Sequence, residues 1–305
     1  MLREITSFKT RIALLGVVVV LIIIYGFISF LIAQGVVNVD RKAQEDDPSK
    51  YNLTYEDVEF SSRDGLFKLS GWYLPGEEGS PHLVFVHGNG SVRSGDNAVE
   101  IASRLKSLGF GMLLFDMRGR GSSEGDIASG GYFERQDVLG AYDYLLADRD
   151  AEAGRVGLLG FSLGAATSVM TAGMEPGFAA VVADSPFADA GELVTNEAAR
   201  SSPIPRWLVP IFVPAARWMA QAFYDINIGN LSPERAAAGL GYPILVIHGE
   251  EDQRIPWEHG QRVADATPAG SSFWLVPEVD HVDAFLAHPD EYTDRVSEYF
   301  GSRLR

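Results

Sequence analysis

The sequence predicts an α/β protein, a mostly parallel sheet flanked by helices and preceded by one long apolar helix. Three observations carry this reading. From Val58 onward, short apolar runs alternate with amphipathic stretches, the pattern of βα units. Ile12 to Ala33 holds no ionisable group except Tyr25. Phe187 to Leu240 is a long aromatic and proline-rich stretch between two strand-like runs, where ~15–20 residues would make a crossover.

The chain opens with a basic segment, residues 1–11, in which Arg3, Lys9 and Arg11 outweigh Glu4. As a helix, residues 12–33 would reach about 33 Å, enough for a bilayer core. The β-branched runs Val17 to Val20 and Ile22 to Ile24 are poor helix formers in water. In lipid the backbone must bond internally, so a helix is still expected there. Ala33-Gln34-Gly35 offers a small-x-small pattern, so a cleaved signal competes with an uncleaved anchor; the length of the run favours the anchor. Three cations precede the run, and Arg41 and Lys42 follow it. This count favours a cytoplasmic N-terminus and an extracytoplasmic body. Residues 34–55 then form a polar tether, and residues 56–305 the folded body.

Two strands are expected first, Val58–Ser61 and Phe67–Leu74, as an antiparallel hairpin around Arg63-Asp64-Gly65. Six buried strands follow: Leu83–His87, Met112–Asp116, Val156–Gly160, Ala179–Asp184, Ile244–His248 and Phe273–Pro277. Each is short, apolar and bounded by glycine or polar residues, as strands covered on both faces should be. Helical periodicity marks Asn97–Leu108, Glu134–Ala147, Ser162–Gly173, Glu258–Ala266 and Glu291–Phe300. The insertion at about 187–240 reads as a helical cap, or more plainly as an extra helix pair with one buried face.

Composition narrows the chemistry. With 46% hydrophobic residues in 305, the chain can bury a core. The absence of cysteine removes disulfide frameworks, thiolate metal sites and thiol nucleophiles. A net charge of −16 disfavours a nucleic-acid partner.

Two segments match G-x-S-x-G: Gly121-Ser122-Ser123-Glu124-Gly125 and Gly160-Phe161-Ser162-Leu163-Gly164. The pattern alone is weak, and context separates the two. Nucleophilic use of a serine needs a strand, a strained turn and a helix. Arg155 to Gly160 is a buried-strand run and Leu163 to Met170 begins a helix, so Ser162 is the candidate nucleophile. Ser123 stands seven residues beyond its strand, among small residues, and reads as a loop residue. The hydroxyl needs a base. His281 follows the last strand on a loop at the sheet's C-terminal edge and is the favoured one. His87 and His248 end strands in His-Gly, where a turn role is expected. His82 begins a strand, and His259 and His288 fall on expected surface helices. The imidazole needs a carboxylate on its other nitrogen. Asp252 is favoured, with Asp280, Glu250 and Glu251 as alternatives. Oxyanion donors would be the backbone N–H groups of Leu163 and of the His87-Gly88-Asn89-Gly90 loop, most plausibly Asn89. The chemistry asks for no cofactor, and no H-E-x-x-H metal pattern occurs.

Taken in order, Phe85 to Gly90, Leu114 to Gly125, Gly160 to Gly164, Asp184 to Phe187, Ile247 to Asp252 and Asp280-His281 resemble the α/β-hydrolase fold family, in particular membrane-anchored Bem46-like serine hydrolases. The resemblance spans about residues 58–300. It implies a mostly parallel eight-stranded sheet with helices on both faces, a Ser162/Asp252/His281 triad, and structural roles for Asp116 and Arg118. It also implies ester, lipid, thioester or peptide cleavage without choosing among them. The expected activity is ester-type acyl transfer on a small-molecule or lipid substrate; a peptidase or a non-catalytic binding protein of the same fold is the alternative. A dehalogenase or epoxide hydrolase would want a carboxylate at position 162.

Overall fold

The computed structural model describes residues 8–39, 41–44, 46–201 and 204–304. The basic segment predicted over 1–11 lies outside the described residues as far as residue 7. The chain divides into two compact units, Met1–Val36 with Val194–Ile228, and Val37–Leu193 with Gly229–Arg305.

The larger unit is built on an eight-stranded sheet. Its elements in chain order are β1 (Glu56–Ser61), β2 (Lys68–Leu74), β3 (His82–Val86), α2 (Ala98–Lys106), β4 (Gly111–Phe115), α3 (Glu134–Asp148), β5 (Val156–Phe161), α4 (Leu163–Ala172) and β6 (Phe178–Asp184), after α1 (Phe8–Val37). The insertion follows with α5 (Ala190–Ser201), α6 (Val209–Tyr224) and α7 (Pro233–Ala237). Then come β7 (Leu245–Gly249), α8 (Glu258–Ala266), β8 (Ser272–Val276), α9 (Ala284–Ala287) and α10 (Pro289–Arg303). Strand order is β1-β2-β4-β3-β5-β6-β7-β8. Only the pairs β1–β2 and β2–β4 are antiparallel. All eight expected strands are present, with no end shifted by more than two residues.

Alternation along the strands sorts the core onto two faces. Val84, Val86, Val156 and Leu158 pack on one side with Leu145 of α3, Val169 of α4 and Val263 of α8. Leu83, Phe85, Leu159 and Phe161 pack on the other with Leu105 of α2 and Phe300 of α10. This two-sided cover accounts for the apolar runs of β3 to β7, while the edge strand β8 is only half-buried. The order also sets the site. From β3 the chain runs outward to β4, then returns past β3 to β5, so a crevice opens at the carboxyl ends of β3 and β5.

The segment predicted as a tether is anchored on this unit from Val37 onward. Val37 C=O accepts the Ala128 N–H at 3.1 Å. Arg41 donates to the carbonyls of Gly121, Ser123 and Gly125 at 3.1, 2.7 and 2.7 Å. Gln44 donates to both Asp116 carboxylate oxygens and accepts the Ser94 N–H. A short 3₁₀ turn over Pro48–Tyr51 is capped by the Asp47 carboxylate.

In the smaller unit, α1 extends the predicted apolar run by four residues at each end. Thr10–Gly35 is long and apolar enough to cross a membrane. Ile32 and Ala33 of α1 cluster with Ala198 of α5 and Val209, Val213 and Ala216 of α6.

Candidate active site

Three loops at the carboxyl edge of the sheet bring the predicted residues together. Ser162 lies between β5 and α4 with φ +53° and ψ −115°, a conformation that L-residues rarely adopt. The turn is tight because α4 starts almost on top of the sheet: a Cβ at Gly164 would stand 1.9 Å from the Val86 carbonyl oxygen. One at Gly160 would stand 2.4 Å from the Gly164 carbonyl oxygen. Only glycine permits both approaches. The Ser162 N–H donates to the Asp184 carbonyl at 2.7 Å, tying the elbow to β6.

His281 lies on the loop after β8. Its Nε2 is 2.8 Å from Ser162 Oγ and its Nδ1 is 2.6 Å from Asp252 Oδ2. With the Nδ1 proton donated to Asp252, Nε2 is free to accept from the serine hydroxyl. Asp252, on the loop after β7, also accepts the Arg254 and Ile255 N–H groups on Oδ1 at 2.9 and 2.8 Å. Burial pushes the Asp252 carboxyl up, but hydrogen bonds from His248 and His281, the His281 charge and the Ile255 N–H outweigh it. The carboxyl is held well below its ordinary 3.8 and stays ionised. The alternative acid Asp280 instead braces the loop, accepting the Gln253 and His281 N–H groups.

The loop after β3 lies directly beside the elbow, because β3 and β5 are hydrogen-bonded neighbours. A Cβ on Gly88 would touch Ser162 Cβ at 3.4 Å. His87 shapes this loop: Nδ1 donates to the Gly88 carbonyl and Nε2 accepts the Met117 N–H. Asn89 turns its Oδ1 to Arg120 at 2.9 Å. Leu163 opens α4, so its N–H has no carbonyl within the helix to meet. A pocket of about 160 Å³ opens over Ser162, lined by Asn89, Asp96, Asn97, Arg254 and His281 among others. Arg118 bridges the buried Asp137 to Asp64, which lies at the surface.

Two histidines differ from their sequence reading. His248 does more than end a strand. It is wholly buried, with Nε2 at 3.1 Å from Asp252 Oδ2 and 2.9 Å from the Ile255 carbonyl, so it supports the acid from below. Its only sequence signal is its place four residues before Asp252. His259 is buried instead of lying on a surface. It shares the inner face of α8 with Val263, one turn on, and its Nδ1 accepts the Ala188 N–H. His288 is exposed at the junction of α9 and α10.

Known proteins share this arrangement of elements. Residues 73–209 match the family model of the X-Pro dipeptidyl-peptidase (S15 family). The esterase Pf2001 of Pyrococcus furiosus superposes with a TM-score of 0.69 at 24% identity, over 88% of this chain and 100% of that one. The uncharacterized protein Rv2307c of Mycobacterium tuberculosis (strain H37Rv) is 32% identical over 232 residues, covering 75% of this chain and 73% of its own. The chain belongs to the α/β-hydrolase family. The lysophosphatidylserine lipase ABHD12 of Danio rerio is 27% identical over 220 residues, 69% of this chain and 53% of its own. In α/β-hydrolase terms, Ser162 occupies the elbow after β5, Asp252 the loop after β7 and His281 the loop after β8.

Proposed function

We propose that the chain is a membrane-anchored serine hydrolase that cleaves ester-type acyl substrates, lipid esters among them. The observation that carries the reading is the hydrogen-bonded line from Ser162 Oγ through His281 to Asp252, drawn from three separate loops. His281 Nε2 takes the hydroxyl proton as Oγ bonds to the ester carbonyl carbon. The oxygen that gains the negative charge is met by the N–H groups of Asn89 and Leu163. When the tetrahedral adduct collapses, the C–O bond to the leaving alcohol breaks and His281 returns the proton to that alcohol. Water then attacks the Ser162 acyl ester as His281 takes its proton; the acyl C–Oγ bond breaks, His281 returns that proton to Oγ, and the acid and the free serine are released.

Lipid esters are favoured by the span at Thr10–Gly35 and by the lipase activity named for the zebrafish relative. On this reading α1 is an uncleaved anchor, as in the membrane-anchored Bem46-like hydrolases that the sequence resembles, and the catalytic unit is extracytoplasmic, as the count of cations before and after the span favours. Carboxylesterase and thioesterase chemistry use the same steps. The match to an X-Pro dipeptidyl-peptidase model supports a second reading, cleavage of a peptide bond after proline.

A fluorophosphonate probe should label the purified full chain, with labelling lost in Ser162→Ala; a folded wild type that resists the probe overturns the proposal. Turnover of p-nitrophenyl esters rising with acyl length supports a lipid substrate, and preference for acetyl opposes it. Faster release from a Xaa-Pro p-nitroanilide than from any ester would move the assignment to the peptidase reading.

A further inference from the structure

The smaller unit holds a helix with an unexplained surface. In α6, Val209, Val213, Ala216 and Ala220 form one buried stripe. A second apolar stripe, Ile211, Pro214, Trp218 and Ala222, is exposed, with Ile211 54% and Trp218 63% open. A narrow polar stripe of Arg217 and Gln221 separates the two on one side. A helix apolar on nearly all sides is normally covered on all sides, by protein or by lipid.

The contacts of α6 with α1 say which. Tyr25 stacks on Phe212 with centroids 5.4 Å apart, and its hydroxyl donates to the Ile211 carbonyl at 3.1 Å. Phe30 meets Phe223 edge to face at 6.2 Å. Ile32 and Ala33 complete the seam. Tyr25 to Ala33 covers about 12 Å of the second half of the Thr10–Gly35 span, so the whole seam fits within one leaflet. Whatever packs against it shares its depth. Charge agrees: residues 204–224 contain no Asp or Glu in a chain with 41, and their only charges are Arg206 and Arg217. Trp207 and Trp218 add the amphipathic aromatics found at membrane interfaces.

We propose that α6 is a second membrane element, an in-plane helix seated in the leaflet that holds the C-terminal half of α1, with lipid covering Ile211, Trp218 and Phe223. A second copy of the chain is a poorer occupant, because a two-fold contact through this face would bring Arg206 and Arg217 near their own images. The proposal rests on reading α1 as an uncleaved anchor. It makes the insertion between β6 and β7 the part of the hydrolase that meets the lipid, held there by an anionic-lipid-compatible polar stripe.

The natural chain has no cysteine, so single labels are clean. Ile211→Cys, Trp218→Cys, Leu31→Cys and Leu286→Cys in the full chain would each carry an NBD fluorophore, in vesicles of phosphatidylcholine and phosphatidylglycerol. All four positions are exposed, so the variants should fold, as their thermal midpoints would verify. Doxyl-labelled phosphatidylcholine should quench positions 211 and 218 as fully as position 31, and leave position 286 on α9 bright. Quenching at 31 with full emission at 211 and 218 overturns the proposal and leaves the anchor standing. Loss of quenching at 31 as well removes the anchor reading and the proposal with it. Labels at 211 and 218 that quench each other between copies but ignore the lipid quencher also overturn it, in favour of self-association.

Discussion

The two G-x-S-x-G segments have the same pattern and opposite fates. At Ser162 the backbone is strained, the hydroxyl meets an imidazole, and a pocket opens above it. At Ser123 the hydroxyl is buried and saturated: it donates to the Asp116 carbonyl at 2.5 Å and accepts the Ser70 N–H at 2.9 Å. Each serine lies near an aspartate that ends a strand or follows it, Asp184 for Ser162 and Asp116 for Ser123. The motif therefore carries no chemistry of its own. What decides is whether a helix begins at once after the serine, forcing the elbow, or a loop wraps the hydroxyl into its own backbone.

The largest test exchanges the two hydroxyls for methyls. Ser162→Ala should lower kcat by roughly 10⁴-fold or more while leaving the fold intact. Ser123→Ala should keep the activity and lose about 1–3 kcal/mol of stability, because the Ser70 N–H is left without its acceptor. Ester turnover and urea unfolding on both variants give the two readings. Equal loss of activity in both would erase the distinction.

The glycines extend the contrast. Gly164→Ala drives a Cβ into the Val86 carbonyl, a clash with backbone that no rotamer relieves, and should leave little folded protein. Gly125 is needed for a different reason, its φ of +106°, and a Cβ there would come to 3.1 Å from the Gly119 nitrogen and 3.3 Å from Arg118 Cβ. Gly125→Ala should cost about 1–3 kcal/mol and give a soluble, folded chain. Far-ultraviolet circular dichroism with urea titration separates these outcomes.

The paired aspartates differ in their donors. The Asp116 carboxylate accepts the Arg93 and Ser122 N–H groups and Gln44. Asp184 accepts from the Ser185 and Tyr292 hydroxyls, and burial outweighs them, pushing its carboxyl up to about 6. Between pH 4 and 6 the native protein keeps a proton that the unfolded chain releases, so this group lowers stability as pH rises through that window. Asp184→Asn removes the titration. Unfolding free energies at pH 4.5 and 7 should shift in favour of the variant by about 2 kcal/mol on going to the higher pH. A difference that does not change with pH would show that Asp184 folds without a burial penalty.

Much of this is legible in the sequence. Six of the eight strands announce themselves as short apolar runs ended by glycine or a polar residue, the first two by their spacing around Arg63-Asp64-Gly65, and the chain order of Ser162, Asp252 and His281 follows from which loops leave the same sheet edge. Other features were hidden because they depend on contacts between distant residues. His248 looks like a strand end, since nothing in His-Gly tells that its ring faces Asp252. His259 sits among polar neighbours in the sequence, and only the rotation of α8 buries it. The seam between α1 and α6 joins residues some 190 apart in the chain, and apolar residues at both ends satisfy their local patterns without it.

Arg41 is the smallest and least expected member of the comparison. Its guanidinium gathers three carbonyls of the Ser123 loop, at Gly121, Ser123 and Gly125. The chain that leaves the apolar helix is thereby fastened to the silent copy of the motif, while the Ser162 copy is held from below by β6 and from the side by β3. Two of the three bonds are exposed, so water can replace them in part. Arg41→Ala should cost about 1 kcal/mol in urea unfolding, and Arg41→Lys should recover only part of that, because one ammonium cannot span three carbonyls as a planar fork does. Fluorophosphonate labelling at Ser162 should proceed at the wild-type rate in both variants. A stability loss matching that of Ser123→Ala would instead make Arg41 as integral to this loop as the buried hydroxyl, and Val37, Arg41 and Gln44 part of the hydrolase fold in energetic as well as geometric terms.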